Sequence, residues 1–249
     1  MKKLLLIQFV ILFATVSNAQ TVFIDRGRIE FERKTNVHRL NFTGETGSWV
    51  EGFKKMIPQF RSDYFNLVFT PGKTLYNPGR ESDNRQMDQF FSNPALDNTV
   101  YTDLNSAITT SNKSVFEAKF LLTDSIVRRQ WRIEPETRTI AGFECRKAVT
   151  TICDSVVVVA FYTDQITTAG GPESFSGLPG MILGLAIPRL YTTWFATRVE
   201  TITTTDESKI QPPTRGKKAN TVDMTATIMA GIKNWGTKYI DRSIWSVTL

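Results

Sequence analysis

Alternation of apolar and polar residues with a period of two is the feature that most constrains the fold of this chain. In the run "GRIEFERKT", Ile29, Phe31 and Arg33 alternate with charged residues. Successive side chains of a β-strand point to opposite faces, so this pattern predicts a strand with one buried face. The same alternation recurs in three further runs, which are "SVFEAKFLLTD", "IVRRQWRIE" and "FECRKAVTTI".

Short turn signals separate these predicted strands. Residues 135–137 predict a turn between two strands, and residues 153–155 predict another before the β-branched residues 156–159. Short connections between successive strands favour an antiparallel meander. The sequence therefore predicts a mainly β fold, in which a single twisted antiparallel meander sheet, half-barrel-like in shape, is covered by one or two helices.

Two segments have apolar residues at helical rather than strand spacing. The first spans residues 47–60. The second spans residues 221–236, where Met224, Ile228 and Ile232 fall on one face. These segments are the predicted covering helices.

The first 19 residues have the organisation of a secretory signal peptide. Lys2 and Lys3 precede an apolar run, and Ser17 and Ala19 place small residues before a cleavage site. The apolar run is shorter than the ~20 residues that span a bilayer, so residues 1–19 are predicted to be a signal peptide rather than a membrane anchor. No other segment of the sequence reaches that length. We therefore expect an exported protein of the periplasm or outer-membrane surface, without a transmembrane segment after cleavage.

The net charge does not indicate a nucleic-acid partner. The formal charge of +6 falls to +4 once Lys2 and Lys3 leave with the signal peptide. The basic residues cluster in "VRRQWR" and "RGKK", and no nucleic-acid-binding motif accompanies either cluster. Both clusters are therefore predicted to be solvated surfaces.

The sequence lacks the motifs of the common catalytic sites. His38 is the only histidine, which excludes zinc sites that need two or three histidines. Ser176 lacks the glycine two residues earlier that a nucleophile elbow requires, and no S-x-x-K run occurs. We therefore expect no metal, no cofactor and no catalytic residue, with a carboxylate pair or a serine as the alternative for a hydrolase.

The two cysteines, Cys145 and Cys153, are predicted not to form a disulfide with each other. Eight residues of extended strand at ~3.3 Å each place their Cα atoms about 26 Å apart, whereas a disulfide requires roughly 4.4 to 6.8 Å. We expect one buried thiol within the strand and one more exposed thiol at its turn. A metal site shared by cysteine and histidine is the remaining alternative.

The segment "GGPESFSGLPGMILGLAIP" (170–188) concentrates glycine and proline before an apolar, strand-like run. Leu178, Pro179 and Gly180 suit a type II turn, with proline at the second position and a glycine of positive φ at the third. The segment lacks the lysine and the following helix of a phosphate-binding loop. It is therefore predicted to be a structural corner built by Gly171, Pro172, Gly177, Leu178, Pro179 and Gly180.

The stretch from "QWRIEPETRTIAGFECRKA" through "YTDQI" to "GGPESFSGLPGMILGL" resembles the GLPGLI family of exported proteins from Gram-negative bacteria. The elements W-x-I, C-x-K-A and GLPG occur in the family's order and spacing, and the likeness covers most of residues 25–200. The resemblance implies export to the cell envelope and a β-rich fold, and it implies no particular activity. The expected organisation is a signal peptide followed by a single β-rich domain of this type over residues 20–249, with a polar connection near 203–220 and a C-terminal helix.

A twisted sheet with an apolar concave face is a common way to hold a lipophilic molecule or a partner segment. The sequence therefore favours a non-enzymatic envelope protein that binds a lipophilic ligand or an outer-membrane protein. The alternatives are an envelope hydrolase that uses carboxylates or a serine, and a structural or adhesion component. The candidate contact residues, which could instead be simple core residues, are Trp131, Phe161, Tyr162, Phe175 and Trp194.

Overall fold

The computed structural model describes residues 23–82, 95–115, 118–153, 155–202, 209–234 and 237–249, without the side chains of residues 237–239 and 242. The predicted signal peptide, residues 1–19, lies outside the described residues, as does part of the predicted connection, residues 203–208. No helix in the described ranges combines the length and the hydropathy needed to cross a membrane.

Most of the described chain belongs to one large sheet of twelve strands. The strands are β1 (Gly27–Asn36), β2 (Phe60–Thr70), β3 (Lys73–Pro78), β4 (Thr99–Asp103), β5 (Ile108–Val115), β6 (Ala118–Ser125), β7 (Arg132–Ile140), β8 (Phe143–Ile152), β9 (Val156–Thr163), β10 (Met181–Ile187), β11 (Thr192–Thr201) and β12 (Lys217–Ala219). Their order across the sheet is β12-β6-β5-β4-β3-β2-β1-β11-β10-β9-β8-β7. Each described pair of neighbours is antiparallel except β12 and β6, which are parallel.

The strand order consists of two meanders joined by the first strand. Strands β2 to β6 follow one another on one side of β1, and strands β11 back to β7 follow one another on the other side. Each meander needs only short connections between antiparallel neighbours, as the turn signals indicate. The predicted fold class, a mainly β chain with a single antiparallel meander sheet and few helices, is confirmed.

In addition to a short 3₁₀-helix at Pro188–Leu190, four α-helices accompany the sheet in the described ranges. They are α1 (Val37–Phe42), α2 (Ser48–Met56), α3 (Thr221–Ile232) and α4 (Thr237–Thr248). Asn220 caps the start of α3, because its side-chain oxygen accepts a hydrogen bond of 2.8 Å from the Asp223 N–H. Met224, Ile228 and Ile232 of α3 are buried in a cluster that also contains residues of β5 and β6.

In strand β1, the alternation of residues determines which side chains face the interior. Its buried residues fall at every second position, and they change along the strand from apolar Ile29 and Phe31 to polar Arg33 and Thr35. Because β1 lies between β2 and β11, these side chains share one face with the inward residues of both neighbours. The buried face of the sheet therefore has an apolar part and a polar part.

The structure corrects the predicted turn at residues 135–137. These residues lie within β7, at a register shift between Ile133 and Thr137 in its pairing with β8. Proline cannot donate a hydrogen bond to the ladder, so Pro135 is accommodated at an irregularity of this strand, which lies at the edge of the sheet. A turn signal within an edge strand thus marks a bulge rather than a chain reversal.

Two of the predicted strands also have different bounds. The run "SVFEAKFLLTD" is divided between β5 and β6, and residues 116–117 between them lie outside the described residues. In the run "IVRRQWRIE", β7 begins only at Arg132. The residues before Arg132 do not form part of this strand. Instead, the side chains of Arg129 and Trp131 donate hydrogen bonds to the loop between β9 and β10. The predicted turn after β8 is confirmed, since the Ser155 N–H donates to the Cys153 carbonyl at 2.8 Å.

Candidate functional site

The glycine-proline segment folds so tightly that Gly171 and Gly180 leave no room for side chains. Gly180 has a φ of +137°, and a Cβ atom added there would lie 2.0 Å from the Thr163 carbonyl oxygen. The Gly180 N–H donates to the Leu178 carbonyl at 2.8 Å, so the turn closes over three residues rather than the four of the predicted type II turn. At Gly171, an added Cβ would lie 2.8 Å from Cβ of Ile182.

The other predicted corner residues lie in the same compact loop. The Pro172 carbonyl accepts a hydrogen bond of 3.2 Å from the Phe175 N–H. Gly177 has a φ of +92°, and Leu178 is buried. The segment is therefore a corner by geometry, and Pro179 lies at the centre of its three-residue turn.

The corner also carries a buried acid that the sequence reasoning missed. Glu173 has a φ of +55°, unusual for a residue with a side chain, and its side chain is almost fully enclosed. The Asn98 side-chain amide donates a hydrogen bond of 2.9 Å to Oε2 of Glu173. One signal was available in the sequence, because Glu173 is the only charged residue between positions 165 and 188.

Two side chains from the segment before β7 hold this loop in place. Arg129 donates from Nη1 to the Ser174 carbonyl at 3.0 Å and from Nη2 to the Ser174 hydroxyl at 3.2 Å. Its guanidinium also lies 4.4 Å from the centre of the Phe175 ring. The Trp131 indole N–H donates to the Ser176 carbonyl at 3.0 Å. These contacts fix the residues that directly follow Glu173.

On the sheet, a buried ion-pair group faces the interior. Trp194, Arg33 and Asp63 are direct neighbours across β11, β1 and β2. Asp63 accepts from Nη2 of Arg33 at 3.0 Å and from Nε of Arg61 at 2.9 Å. Arg33 also donates from Nη1 to the Ala95 carbonyl at 2.8 Å. One carboxylate thus compensates two buried guanidinium groups.

Seven buried side-chain polar atoms lack a hydrogen-bond partner of standard geometry within the described part of the chain; two of them belong to Thr70 and Arg129, and the other five form one group. These five atoms are Nε of Arg33, Oη of Tyr76, Oδ1 of Asn98, Oε1 of Glu173 and Nε1 of Trp194. The five side chains are at most 3% exposed. We call these residues the inner polar cluster. The Tyr76 hydroxyl lies close enough to the Trp194 indole and the Glu173 carboxyl group for hydrogen bonding to influence the pKa of Tyr76. Buried polar atoms are nearly always hydrogen-bonded in proteins, so a concentration of polar groups that satisfy one another only in part distinguishes the cluster from ordinary core.

The charges of the cluster act on one another. Burial raises the pKa of Glu173, although the positive charges of Lys113 and Arg33 and the Asn98 hydrogen bond oppose that rise. Burial also raises the pKa of Tyr76 well above its ordinary value, and the negative charge of Glu173 adds to the effect. Titratable groups with perturbed pKa values that converge in one place are typical of functional sites.

Lys113 of β5 borders the cluster. Its ammonium group donates to the Val247 carbonyl at 3.0 Å and to the Leu249 carbonyl. Burial lowers the pKa of Lys113 to about 8, with the charge of Glu173 acting in the opposite direction. The cluster is thus linked electrostatically to the residue that anchors the end of α4.

The inner polar cluster offers both hydrogen-bond donors and acceptors. Arg33 and Trp194 can only donate, and Oδ1 of Asn98 can only accept. The Tyr76 hydroxyl can do both, as can the Glu173 carboxyl group when it is protonated. A ligand with several hydroxyl groups matches such a mixed set, because each hydroxyl both donates and accepts.

The five predicted contact residues lie in different parts of the structure. Trp194 belongs to the inner polar cluster, whereas Trp131 and Phe175 belong to the anchoring of the loop. Phe161 and Tyr162 are buried in the core on β9. They do not line a common apolar pocket.

An open groove of about 710 Å³ lies between the segment before β7 and the end of β8. Val127, Arg128, Arg129, Ile152 and Cys153 are among its lining residues. None of the five predicted contact residues lines this groove.

The cysteines and the histidine lie apart from the inner polar cluster. Cys145 is buried within β8 and Cys153 is exposed at the following turn, and the two are not bonded to each other. Burial raises the pKa of Cys145 to about 12. His38 lies in α1, with Nε2 3.0 Å from the Ile57 carbonyl. Within the described ranges, no three histidine, cysteine, aspartate or glutamate side chains converge as metal ligands would.

Comparisons with known proteins relate the chain to one family. The model of a family described as "N-glycanase peptide, N-terminal domain" matches residues 81–226. Among solved structures, two crystal structures of PNGF-II in different space groups are similar in fold. One has a TM-score of 0.52 at 16% identity, over 82% of this chain and 33% of that chain. The other has a TM-score of 0.51 at 13% identity, over 88% of this chain and 32% of that chain.

At such identities the two solved structures show a shared fold alone. The chain spans about a third of the length of the solved chains that it matches. No curated protein matches the sequence.

The family match overturns the resemblance to the GLPGLI family. The matched residues, 81–226, include the segment on which that resemblance was based. The structure gives a physical reason for the error. Gly180 and its neighbours are the residues that a turn of this tightness requires, so the short string "GLPG" reflects local geometry and does not identify a family.

Proposed function

This chain belongs to the family of N-glycanase N-terminal domains, and from this premise we propose that it recognises glycans by holding a carbohydrate unit at the inner polar cluster. The single observation that carries the proposal is the concentration of five buried polar side chains whose donors and acceptors satisfy one another only in part. A buried polar group without a partner costs about 1 to 3 kcal/mol, and the hydroxyl groups of a sugar would remove that cost.

The rest of the cluster also suits a sugar. Tyr76 and Trp194 add two aromatic rings to the polar atoms, and ligand sites commonly combine such rings with a few well-placed polar groups. The raised pKa of Glu173 favours a neutral carboxyl group, which can both donate and accept. A purely lipophilic ligand would offer no hydrogen bonds to these polar groups, so we propose a hydroxylated ligand in place of the lipophilic one.

Export is part of the proposal. The signal-peptide organisation of residues 1–19 supports secretion to the periplasm or to the outer-membrane surface, where glycans of other molecules are encountered. N-terminal sequencing of the protein isolated from its native envelope tests this point. We expect a mature chain that begins at Gln20, and a retained Met1 would contradict it.

Binding of a soluble N-glycan core oligosaccharide, measured by titration calorimetry, tests the glycan site. Trp194→Phe keeps an aromatic ring, although a smaller one, and removes the N–H donor. We expect it to weaken binding about tenfold, the equivalent of one hydrogen bond. Trp245→Phe is the matched control, because Trp245 is only partly buried and lies outside the cluster. Absence of binding by the wild type, or an equal loss in both variants, would contradict the proposal.

Glycan hydrolysis is the second candidate, and the environment of Glu173 favours it. A buried carboxyl group with a raised pKa can act as a general acid. If this function is correct, the wild type releases sugar from a glycopeptide, and Glu173→Gln abolishes release while the oligosaccharide still binds. Binding without turnover by the wild type would leave recognition as the function.

A further inference from the structure

Helix α2 presents an exposed apolar stripe on the surface. Trp49, Phe53 and Met56 are spaced by four and three residues, which places them on one side of the helix. Trp49 is 61% exposed and Met56 is 72% exposed, while Phe53 is half-buried. Among the exposed large apolar side chains of the described chain, Met56 is exceeded only by Val222.

The neighbouring side of the same helix is anchored to the protein. Val50 and Ile57 are buried in a small cluster with Val37 and Phe42 of α1. The ring centres of Trp49 and Phe42 lie 6.3 Å apart in an edge-to-face arrangement. Phe53 of the stripe also packs against this cluster, so the stripe adjoins a packed base while Trp49 and Met56 remain largely exposed.

Basic side chains surround the stripe. Lys54 and Lys55 lie in the last turn of α2, and Arg39 is exposed on α1. Glu51 is paired with Lys54 at 2.9 Å, which lowers the pKa of Glu51. From residue 34 to residue 60, both included, the sequence has four basic and two acidic residues, which gives a net charge of +2. The exposed stripe thus lies in a locally positive surface.

We propose that this surface docks on an anionic lipid membrane. Trp49 and Met56 enter the boundary between headgroups and acyl chains, and Lys54, Lys55 and Arg39 contact the negatively charged headgroups. Tryptophan favours this boundary because its ring is apolar and its N–H is polar. A helix with an apolar side and a basic surround lies on a membrane without crossing it.

The observations favour a lipid surface over a glycan at the same place. A flexible, apolar methionine side chain as exposed as Met56 offers a sugar no hydrogen bonds, whereas it adds apolar area to membrane insertion. The positive charge also matches anionic headgroups. This proposal is independent of the inner polar cluster, none of whose residues lies in α1 or α2.

Co-sedimentation with vesicles tests the proposal on the full mature chain. The probes are vesicles of phosphatidylcholine alone and vesicles with equal amounts of phosphatidylcholine and phosphatidylglycerol. We expect binding to the anionic vesicles that weakens as salt is added. Met56→Ser should reduce this binding about tenfold, because it removes apolar area that inserts into the lipid.

Matched control variants distinguish binding through this surface from nonspecific binding to vesicles. Met229→Ser also changes an exposed methionine on a helix, and it should leave vesicle binding unchanged. Replacing Lys54 and Lys55 with glutamate should abolish binding, whereas the same change at the exposed pair Lys217 and Lys218 should not.

Three outcomes would overturn the proposal. The first is a wild type that does not bind anionic vesicles. The second is an equal loss of binding in Met56→Ser and Met229→Ser. The third is self-association of the wild type in the ultracentrifuge that Trp49→Ser abolishes without any vesicle binding, because the stripe would then serve a second copy of the chain.

Discussion

Asn98 and Glu173 are 75 positions apart in the chain, yet a hydrogen bond of 2.9 Å joins their side chains in the interior. Asn98 directly precedes β4 in one meander, and Glu173 lies in the loop between β9 and β10 of the other. The bond therefore links the two halves of the sheet across β1. It does so within the inner polar cluster, which joins the fold to the proposed site.

The first prediction concerns the pH dependence that Glu173 introduces. Its pKa in the folded protein is raised, so its contribution to stability is complete below the unfolded value of 4.5 and is lost as pH rises through the folded pKa. Glutamine stays neutral at every pH and does not incur this loss. We expect the free energy of unfolding of Glu173→Gln to increase relative to that of the wild type as pH rises from 4 towards neutrality. Urea denaturation at each pH measures this difference. A difference that stays constant with pH would contradict this expectation.

The second prediction concerns the carboxylate between two guanidinium groups. Asp63→Asn keeps the shape of the side chain and removes the charge that compensates Arg33 and Arg61, all of them buried. Removing one partner of a buried ion pair costs about 3 to 5 kcal/mol, so we expect a fall of that order in the free energy of unfolding. Glu134→Gln is the control, because its ion pairs lie at the surface, and its stability should remain close to that of the wild type. Similar stabilities for the two variants would show that the ion-pair group contributes little.

Local sequence patterns were sufficient to predict many strands and helices of this fold, but not their arrangement in the sheet. Alternation predicted β1 and β8, and helical spacing predicted α3, because each signal is a property of a few consecutive residues. The pairing of β1 with β11 joins Gly27 to Thr201, and no local pattern encodes a contact at that separation. The position of β1 between the two meanders was therefore visible only in the structure.

The candidate site was partly visible in the sequence. Arg33 falls in phase with buried Ile29 and Phe31, and a charged residue on the buried face of a strand requires a buried partner. Trp194 was predicted to contact a ligand, although as part of an apolar face. Its neighbours Asn98 and Glu173 come from loops, where no periodicity signals burial, so the polar character of the site could not be predicted.

The third prediction concerns Lys113. Its pKa is about 8 in the folded protein and 10.5 when unperturbed, so the unfolded chain binds more protons between these values. Stability should therefore rise with pH across that window, by up to about 3 kcal/mol for this group. Lys113→Met should remove the rise, whereas Lys119→Met, at an exposed position of β6, should keep it. The measurement is the free energy of unfolding of each variant between pH 7 and 10.

The fourth prediction concerns the thiols. Cys153 is exposed, whereas Cys145 is buried with a pKa of about 12, which leaves almost no thiolate at neutral pH. We expect a thiol reagent to modify one residue per folded chain, Cys153, and to reach Cys145 only after unfolding. Mass spectrometry of the digested protein identifies the modified site. Rapid modification of Cys145 in the folded protein would contradict the burial of β8.

The last prediction separates two reasons why the corner needs glycine. Gly180 and Gly142 both have positive φ, but an added Cβ would lie 2.0 Å from the Thr163 carbonyl at Gly180 and would meet nothing within 4 Å at Gly142. Gly142→Ala should therefore cost only the backbone strain of about 1 to 2 kcal/mol. Gly180→Ala adds a clash with main-chain atoms that cannot move aside freely, so we expect a larger loss, beyond about 3 kcal/mol. Thermal and urea unfolding of both variants measure the difference. Equal losses would mean that positive φ alone, and not the close approach to Thr163, explains the glycine at position 180.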